Sequence, residues 1–161
     1  MAEIETARSN GEAASVQAFL AGVLEHMKIE AQVKLEEKED RLLLEIECAN
    51  EDDVQRIIGR RGQVVDALQH LVSKVLVKVR GEKGKIVVVD AGGYRQRHIE
   101  RLEELAGRMA EKCKSSGEAV ELSPMPAHDR RIVHMAIANL EGVSTKSEGE
   151  GDLRHIVVVP G

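Results

Sequence analysis

Two cationic groupings have a spacing that could hold an anion. In Ile57-Ile58-Gly59-Arg60-Arg61-Gly62-Gln63-Val64, a glycine-bracketed loop carries two arginines between an apolar helix end and a new helix. Backbone amides at a helix start attract anions through their free donors and the helix dipole. Arginines on such a tip add positive charge without being buried. The other grouping is Arg130 and His134, four residues apart and therefore one turn apart on the same helix face, where both can address one phosphate or one base edge. The chemistry this suggests is phosphate binding, with no bond made or broken. Each grouping also has a plainer reading: a helix–loop–helix turn with solvated arginines, and a neutral histidine packed against a sheet. Gln63 either reads a base edge or caps its helix.

The sequence points away from catalysis. His128-Asp129 suggests acid–base work, but no nucleophile, base and orienting group stand at a recognisable spacing. Nor does the chain contain a metal-ligand cluster, a dinucleotide-binding glycine fingerprint or a phosphate-binding ATPase loop. No enzyme activity, metal or cofactor is expected. Cys48 and Cys113 lie far apart in apolar periodic segments, which points to two free thiols in a reducing cytoplasm. No apolar run is long enough to span a bilayer and no secretory leader is visible, so direct membrane insertion is not expected.

The chain has 161 residues, enough for one medium domain or two small ones. Its aromatic fraction is 1%, with Phe19 and Tyr94 alone, which argues against a binder that stacks bases on aromatic platforms. The formal charge of -5 gives no overall attraction for polyanions, but its distribution is uneven. Residues 1–55 carry a net charge of -9, residues 56–101 carry +7, and residues 102–161 carry -3. A basic middle between acidic ends makes a local field for phosphates while keeping the protein soluble.

Hydropathy supplies the elements that must position these groups. Residues 1–12 are polar and small, and read as a flexible tail. Val16, Phe19, Leu20, Val23, Leu24 and Met27 recur at three and four, predicting a helix from Ala13 to about Met27. Ile29, Ala31, Val33 and Leu35 alternate as a strand, a charged turn follows at 36–40, and Arg41–Cys48 returns to complete a hairpin. Asn50 or Asp52 can cap a short helix ending at Gly59. A helix then runs toward Val79, followed by a turn at 81–84 and a third strand over 85–90. Three strands with helices on one face make a two-layer α+β core.

Ala91-Gly92-Gly93 is the best boundary, giving domains over 13–91 and 92–161. A helix then runs to about Lys114, and Ala119-Val120-Glu121-Leu122 form a short strand. Pro126 is suited to the first turn of a helix whose inward face is Ile132, Val133, Ala136, Ile137 and Leu140. Strands over 143–147 and 155–159 complete a second small α+β domain.

The loop Gly59-Arg60-Arg61-Gly62, set in a helix-strand-strand-helix-helix-strand order, resembles the KH domain in its type II arrangement (αββααβ). That family clamps about four single-stranded nucleotides between this loop, its two helices and a strand. The resemblance implies that Arg60, Arg61 and the Gly62 and Gln63 amides meet the sugar-phosphate backbone. Bases would lie on an apolar platform of Ile57, Ile58, Val64 and Val65, with core packing the more natural role for Ile58. Lys74, Lys78, Arg80, Lys83 and Lys85 extend the positive charge, or form a solvated face. Tyr94 is a hinge anchor or a single stacking ring, and Arg95, Arg97, His98 and Arg101 follow the boundary.

The second domain resembles the Arg-x-x-x-His class of single-stranded nucleic acid binders. Arg130 and His134 form its pair, Arg131 is peripheral, and Thr145, Ser147 and Arg154 stand at its polar strand positions. Together the two domains resemble the bacterial Jag family, also called KhpB or SpoIIIJ-associated proteins. Many members carry an extra N-terminal domain and linker, in place of which only a short acidic tail is expected here. The resemblance implies a cytoplasmic regulator that binds single-stranded RNA, with single-stranded DNA left open. It also implies a link to cell elongation, division or sporulation, a smaller KH-domain partner protein, and an indirect connection to a YidC-type membrane insertase. Homodimerisation is open. The competing reading is a protein–protein adaptor that uses the acidic N-terminal face.

Overall fold

Alternation in one strand sets the core of the first unit. Leu42, Leu44 and Ile46 have no exposed surface, whereas the residues between them lie on the opposite face of the sheet. The computed structural model describes residues 2–80 and 85–161, and gives only the backbone for residues 2–10, 12 and 80. The turn expected at 81–84, with Lys83, lies outside the described residues, as does the Arg80 side chain. Strands β1 (Ala31–Glu37) and β2 (Arg41–Cys48) form an antiparallel hairpin, with Leu35 opposite Leu44. Strand β3 (Ile86–Ala91) runs parallel to β2, so the sheet order is β1-β2-β3.

Helices α1 (Ala2–His26), α2 (Glu51–Ile58) and α3 (Gln63–Arg80) supply the rest of the core. Val16, Leu20 and Leu24 of α1 share one cluster with Ile57 of α2, Val65 and Val72 of α3, and the inner sheet residues. Truncating one of the larger aliphatic side chains here to alanine would cost about 2–5 kcal/mol through lost burial and the cavity left behind. The element order is therefore α-β-β-α-α-β, an α+β arrangement.

Two local features depart from the sequence reading. Helix α1 begins at Ala2, so the backbone is already helical over residues 2–12; the alanines and glutamates of this stretch are good helix formers. At its other end Ile29 does not start the strand. The Ile29 amide donates to the Leu24 carbonyl and the Lys28 amide to that of Glu25, with Lys28 at φ 57. These two bonds close the helix in a Schellman cap, with Ile29 buried as its apolar contact. The usual signal for this cap is glycine, and a lysine gives none.

The chain divides into two compact units, residues 1–94 and 95–161. In the second, α4 (Tyr94–Ser116) and α5 (Ala127–Ala138) accompany a sheet of β4 (Val120–Glu121), β5 (Val143–Glu148) and β6 (His155–Pro160) in the order β4-β6-β5, all antiparallel. Ala106, Ala110 and Cys113 pack with Val133, Ile137, Ile156 and Val158. Leu140, expected on the inward face of α5, lies beyond the helix end and is partly exposed; Pro126 sits at the cap just before the helix. Both cysteines are free thiols.

One carboxylate works against the fold at neutral pH. Glu45 lies opposite Asp90 in the β2–β3 register. Burial, and then the Asp90 charge, push its carboxyl above the usual range, against the Gly93 and Gly92 amides that hold it down. A carboxyl raised on folding favours the folded state only while protonated, and that advantage is lost as pH rises from the unfolded value through the folded one. Glu45→Gln, which keeps an acceptor oxygen for the two glycine amides, is therefore expected to raise the melting temperature at pH 7. The gain should shrink toward zero as pH approaches 4, as followed by circular dichroism.

Candidate nucleic-acid interface

The tip of the first unit is built by two glycines and what lies beneath them. Asn50 caps α2 by accepting from the Asp53 amide at 2.8 Å, and Glu51, Asp52 and Asp53 complement the helix dipole. The helix ends when the Gly59 amide bonds to the Gln55 carbonyl, with Gly59 at φ 69. A Cβ at Gly59 would collide with the Val64 side chain, and a Cβ at Gly62 (φ 80) would lie 2.7 Å from the Tyr94 hydroxyl. Both positions require glycine for backbone angle and for space. Between them Arg60 and Arg61 are exposed, Arg61 itself in the left-handed region at φ 52. The Arg60 side chain makes no hydrogen bond or ion pair among the described residues.

The other candidates here divide between surface and support. Gln63 is exposed and Val64 half-buried. Ile57 and Val65 have no exposed surface and Ile58 is 5% exposed, so Ile57 and Val65 support the platform from within the core and are not contact surfaces for a base. The expected phosphate-binding amides are also engaged: Gly62 donates to the Gly59 carbonyl at 3.5 Å and Gln63 to that of Arg60. The loop closes as a 3₁₀ turn and spends these donors on itself. Tyr94 is 8% exposed beneath Gly62, which anchors the loop and excludes the role of an open stacking ring. Lys74 and Lys78 are exposed on α3. Lys85 leaves the expected basic stripe, paired with Glu37 at 3.0 Å and bonded to the Lys38 carbonyl.

In the second unit α5 and β5 bring the remaining candidates together. His134 Nδ1 and the Thr145 hydroxyl are hydrogen-bonded at 2.5 Å. Arg154 Nε donates to the Ser147 hydroxyl at 3.0 Å, two residues further along β5. Arg130, half-buried, donates from Nη1 to the Met125 carbonyl at 2.7 Å and ties down the segment before α5. It is therefore partly structural, while Arg131 and His134 stand exposed. At the start of α4, Arg95 is half-buried and Arg97 exposed.

Three supporting contacts escaped the sequence reading. Asp129, 7% exposed, pairs with His98 at 3.1 Å, fixing the first turn of α5. Gln69 of α3 accepts from the Val89 amide on β3 at 3.1 Å. Tyr94 packs beneath a glycine far away in sequence. Each joins residues whose spacing carries no periodic signal. Among the described residues no cluster of metal-binding side chains occurs, and no helix is long and apolar enough to cross a membrane.

Comparison with known proteins matches both units. Residues 13–89 match the KhpA/KhpB KH domain, and residues 100–160 match the R-three-H (Arg-x-x-x-His) domain. The chain is 36% identical over 140 residues to the RNA-binding protein KhpB of Clostridium symbiosum, covering 87% of this chain and 62% of that protein. It is 36% identical over 104 residues to the RNA-binding protein KhpB of Bacillus subtilis, covering 63% and 50% of the two chains. With the RNA-binding protein KhpB of Streptococcus pneumoniae serotype 2 it shares 30% identity over 146 residues, 91% of this chain and 43% of that one. The chain thus spans 43–62% of the length of these relatives.

The loop geometry carries a direct test. Gly59→Ala is expected to lower stability by about 1–3 kcal/mol, through a positive φ and the clash with Val64. Arg60→Ala should leave stability within about 0.5 kcal/mol of the parent. Urea unfolding of both variants distinguishes a loop held by its glycines from one held by its arginines.

Proposed function

The chain belongs to the KhpB family, with a KH domain followed by an Arg-x-x-x-His domain, and from that premise we propose that it binds single-stranded RNA through both units. The KH domain would occupy residues 13–91 and the Arg-x-x-x-His domain residues 92–161. The observation that carries this reading is the loop tip, where Arg60 and Arg61 are exposed on a turn fixed by Gly59, Gly62 and Tyr94. A rigid loop presents its charges without losing conformational entropy on binding.

Arg60 and Arg61 meet consecutive phosphates, and the bases lie over Val64 and the small exposed part of Ile58. Gln63 stands beside them as an exposed donor and acceptor. In the second unit the exposed Arg131, His134 and Arg154 offer a second polar face, ordered by Thr145 and Ser147. Arg95 and Arg97 add charge at the start of α4. With van der Waals contact in place of ring stacking, sequence preference is modest, and phosphate contacts supply most of the affinity. The family-level extension is cytoplasmic post-transcriptional control linked to elongation, division or sporulation, with a smaller KH partner and an indirect connection to a YidC-type insertase. Resemblance alone supports that extension.

Fluorescence anisotropy with short single-stranded RNA tests the reading. Affinity should fall with added salt, the logarithmic slope being about -0.7 for each phosphate contacted. Arg60→Asp with Arg61→Asp should weaken binding by about tenfold or more, since each charged hydrogen bond contributes on the order of 1.5–3 kcal/mol. Unchanged affinity would remove the loop as the main clamp and shift weight to His134 and Arg154, tested by His134→Ala. No binding to RNA or single-stranded DNA by the intact chain would replace this reading with that of an adaptor.

A further inference from the structure

One edge of the first sheet is unpaired along most of its length. Strand β1 is the outer strand of the order β1-β2-β3. At the hairpin the Lys38 amide donates to the Arg41 carbonyl, and residues 38 and 41 continue the register in which Gln32 faces Glu47 and Lys34 faces Glu45. Antiparallel pairs alternate between hydrogen-bonded and non-bonded, so the even-numbered residues of β1 bond to β2. Ala31, Val33 and Leu35 then turn their amides and carbonyls to the open side. The Gln17 amide of α1 confirms this parity, because it reaches the Val33 carbonyl from that side at 2.5 Å. No other strand occupies this edge among the described residues.

A groove of about 730 Å³ lies beside the start of this edge, lined in part by Ala18, Ala21, Gly22, Glu25, Glu30 and Ala31. Small side chains on α1 leave room for a second backbone, and a Cβ at Gly22 would meet nothing within 4 Å. Glu25 and Glu30 have no ion-pair partner among the described residues, and the one cation in the lining is Lys28. Residues 1–55 together carry a net charge of -9, which repels a polynucleotide and attracts a basic chain.

We infer that the open β1 edge is a docking site for an extended, lysine- or arginine-bearing segment of a partner protein, which adds to the sheet as a fourth strand. Backbone hydrogen bonds to Ala31, Val33 and Leu35 supply the pairing. Small basic-flanked side chains of the guest fit between α1 and the strand, and its charges meet Glu25 and Glu30. Gln17 acts as a plug on the Val33 carbonyl that the guest displaces. This surface is chemically opposite to the arginine loop, so the inference does not rest on RNA binding.

The probe is a synthetic peptide of alternating lysine and valine, long enough to span β1, added to the full chain. Amide hydrogen exchange read by NMR should slow at Val33 and Leu35 with this peptide, and stay unchanged with its glutamate–valine counterpart. Ala31→Pro removes one open-edge donor at a strand start that tolerates proline, and should weaken binding about fivefold, the worth of one hydrogen bond. Gln17→Ala, a helix-compatible change that frees the Val33 carbonyl, should tighten binding by a similar factor. Unchanged exchange at Val33 and Leu35 at saturating peptide would overturn the inference. So would binding indifferent to both substitutions, or protection of these amides by single-stranded RNA. Anisotropy with RNA on the same samples shows separately whether the arginine loop still functions.

Discussion

The first unit's tip depends on one steric constraint: between Ile58 and Gln63 the chain must reverse over a packed floor. Three of the four intervening residues take positive φ, namely Gly59, Arg61 and Gly62. Glycine at the first and last is forced twice, by the angle and by Val64 and Tyr94 lying where a Cβ would go. Arg61 has no such excuse. A left-handed non-glycine residue costs on the order of 1–2 kcal/mol, and asparagine or glycine would adopt it at lower energy. The two buried isoleucines below anchor the other side of the turn, so the tip is rigid because the core under it is full.

Much of this was legible in the sequence because much of it is periodic or punctuated. Leu42, Leu44 and Ile46 alternate, Asn50 precedes an acidic first turn, and the paired glycines mark the reversal. What escaped was tertiary. The cap at Lys28 and Ile29 carries no glycine, and Tyr94 meets Gly62 only after β3 has been placed. The loop amides are a similar case. From sequence, an amide at a helix start is an orphan; here the 3₁₀ turn before α3 has already claimed the amides of Gly62 and Gln63. Neither amide is then a free donor at the start of α3.

The second unit divides one motif between two tasks. Arg130 and His134 share a helix face, as their spacing requires, yet they point at different work. Arg130 fixes the Met125 carbonyl ahead of α5, and His134 meets Thr145 on β5. The His98–Asp129 contact holds the same helix start from α4. Replacing Arg130 would thus disturb the segment before the helix along with any phosphate contact, whereas His134, Arg131 and Arg154 are less entangled with folding. A shared spacing in sequence establishes a shared face, and the partners of each side chain decide its use.

The net charge of -5 loses its force as an objection once distance is considered. Exposed charges are screened over about 8 Å at physiological ionic strength, so a group at the loop responds to the charges nearest it, Arg60 and Arg61, more than to the net charge of the chain. Several acids of the first unit are in any case committed: Glu47 to Lys34, Glu37 to Lys85, and Asp53 to Arg56. Glu25 and Glu30, which pair with no cation among the described residues, lie beside the start of the open β1 edge. The first unit therefore carries exposed arginines at its loop and unpaired carboxylates beside its open edge, two surfaces that prefer ligands of opposite charge.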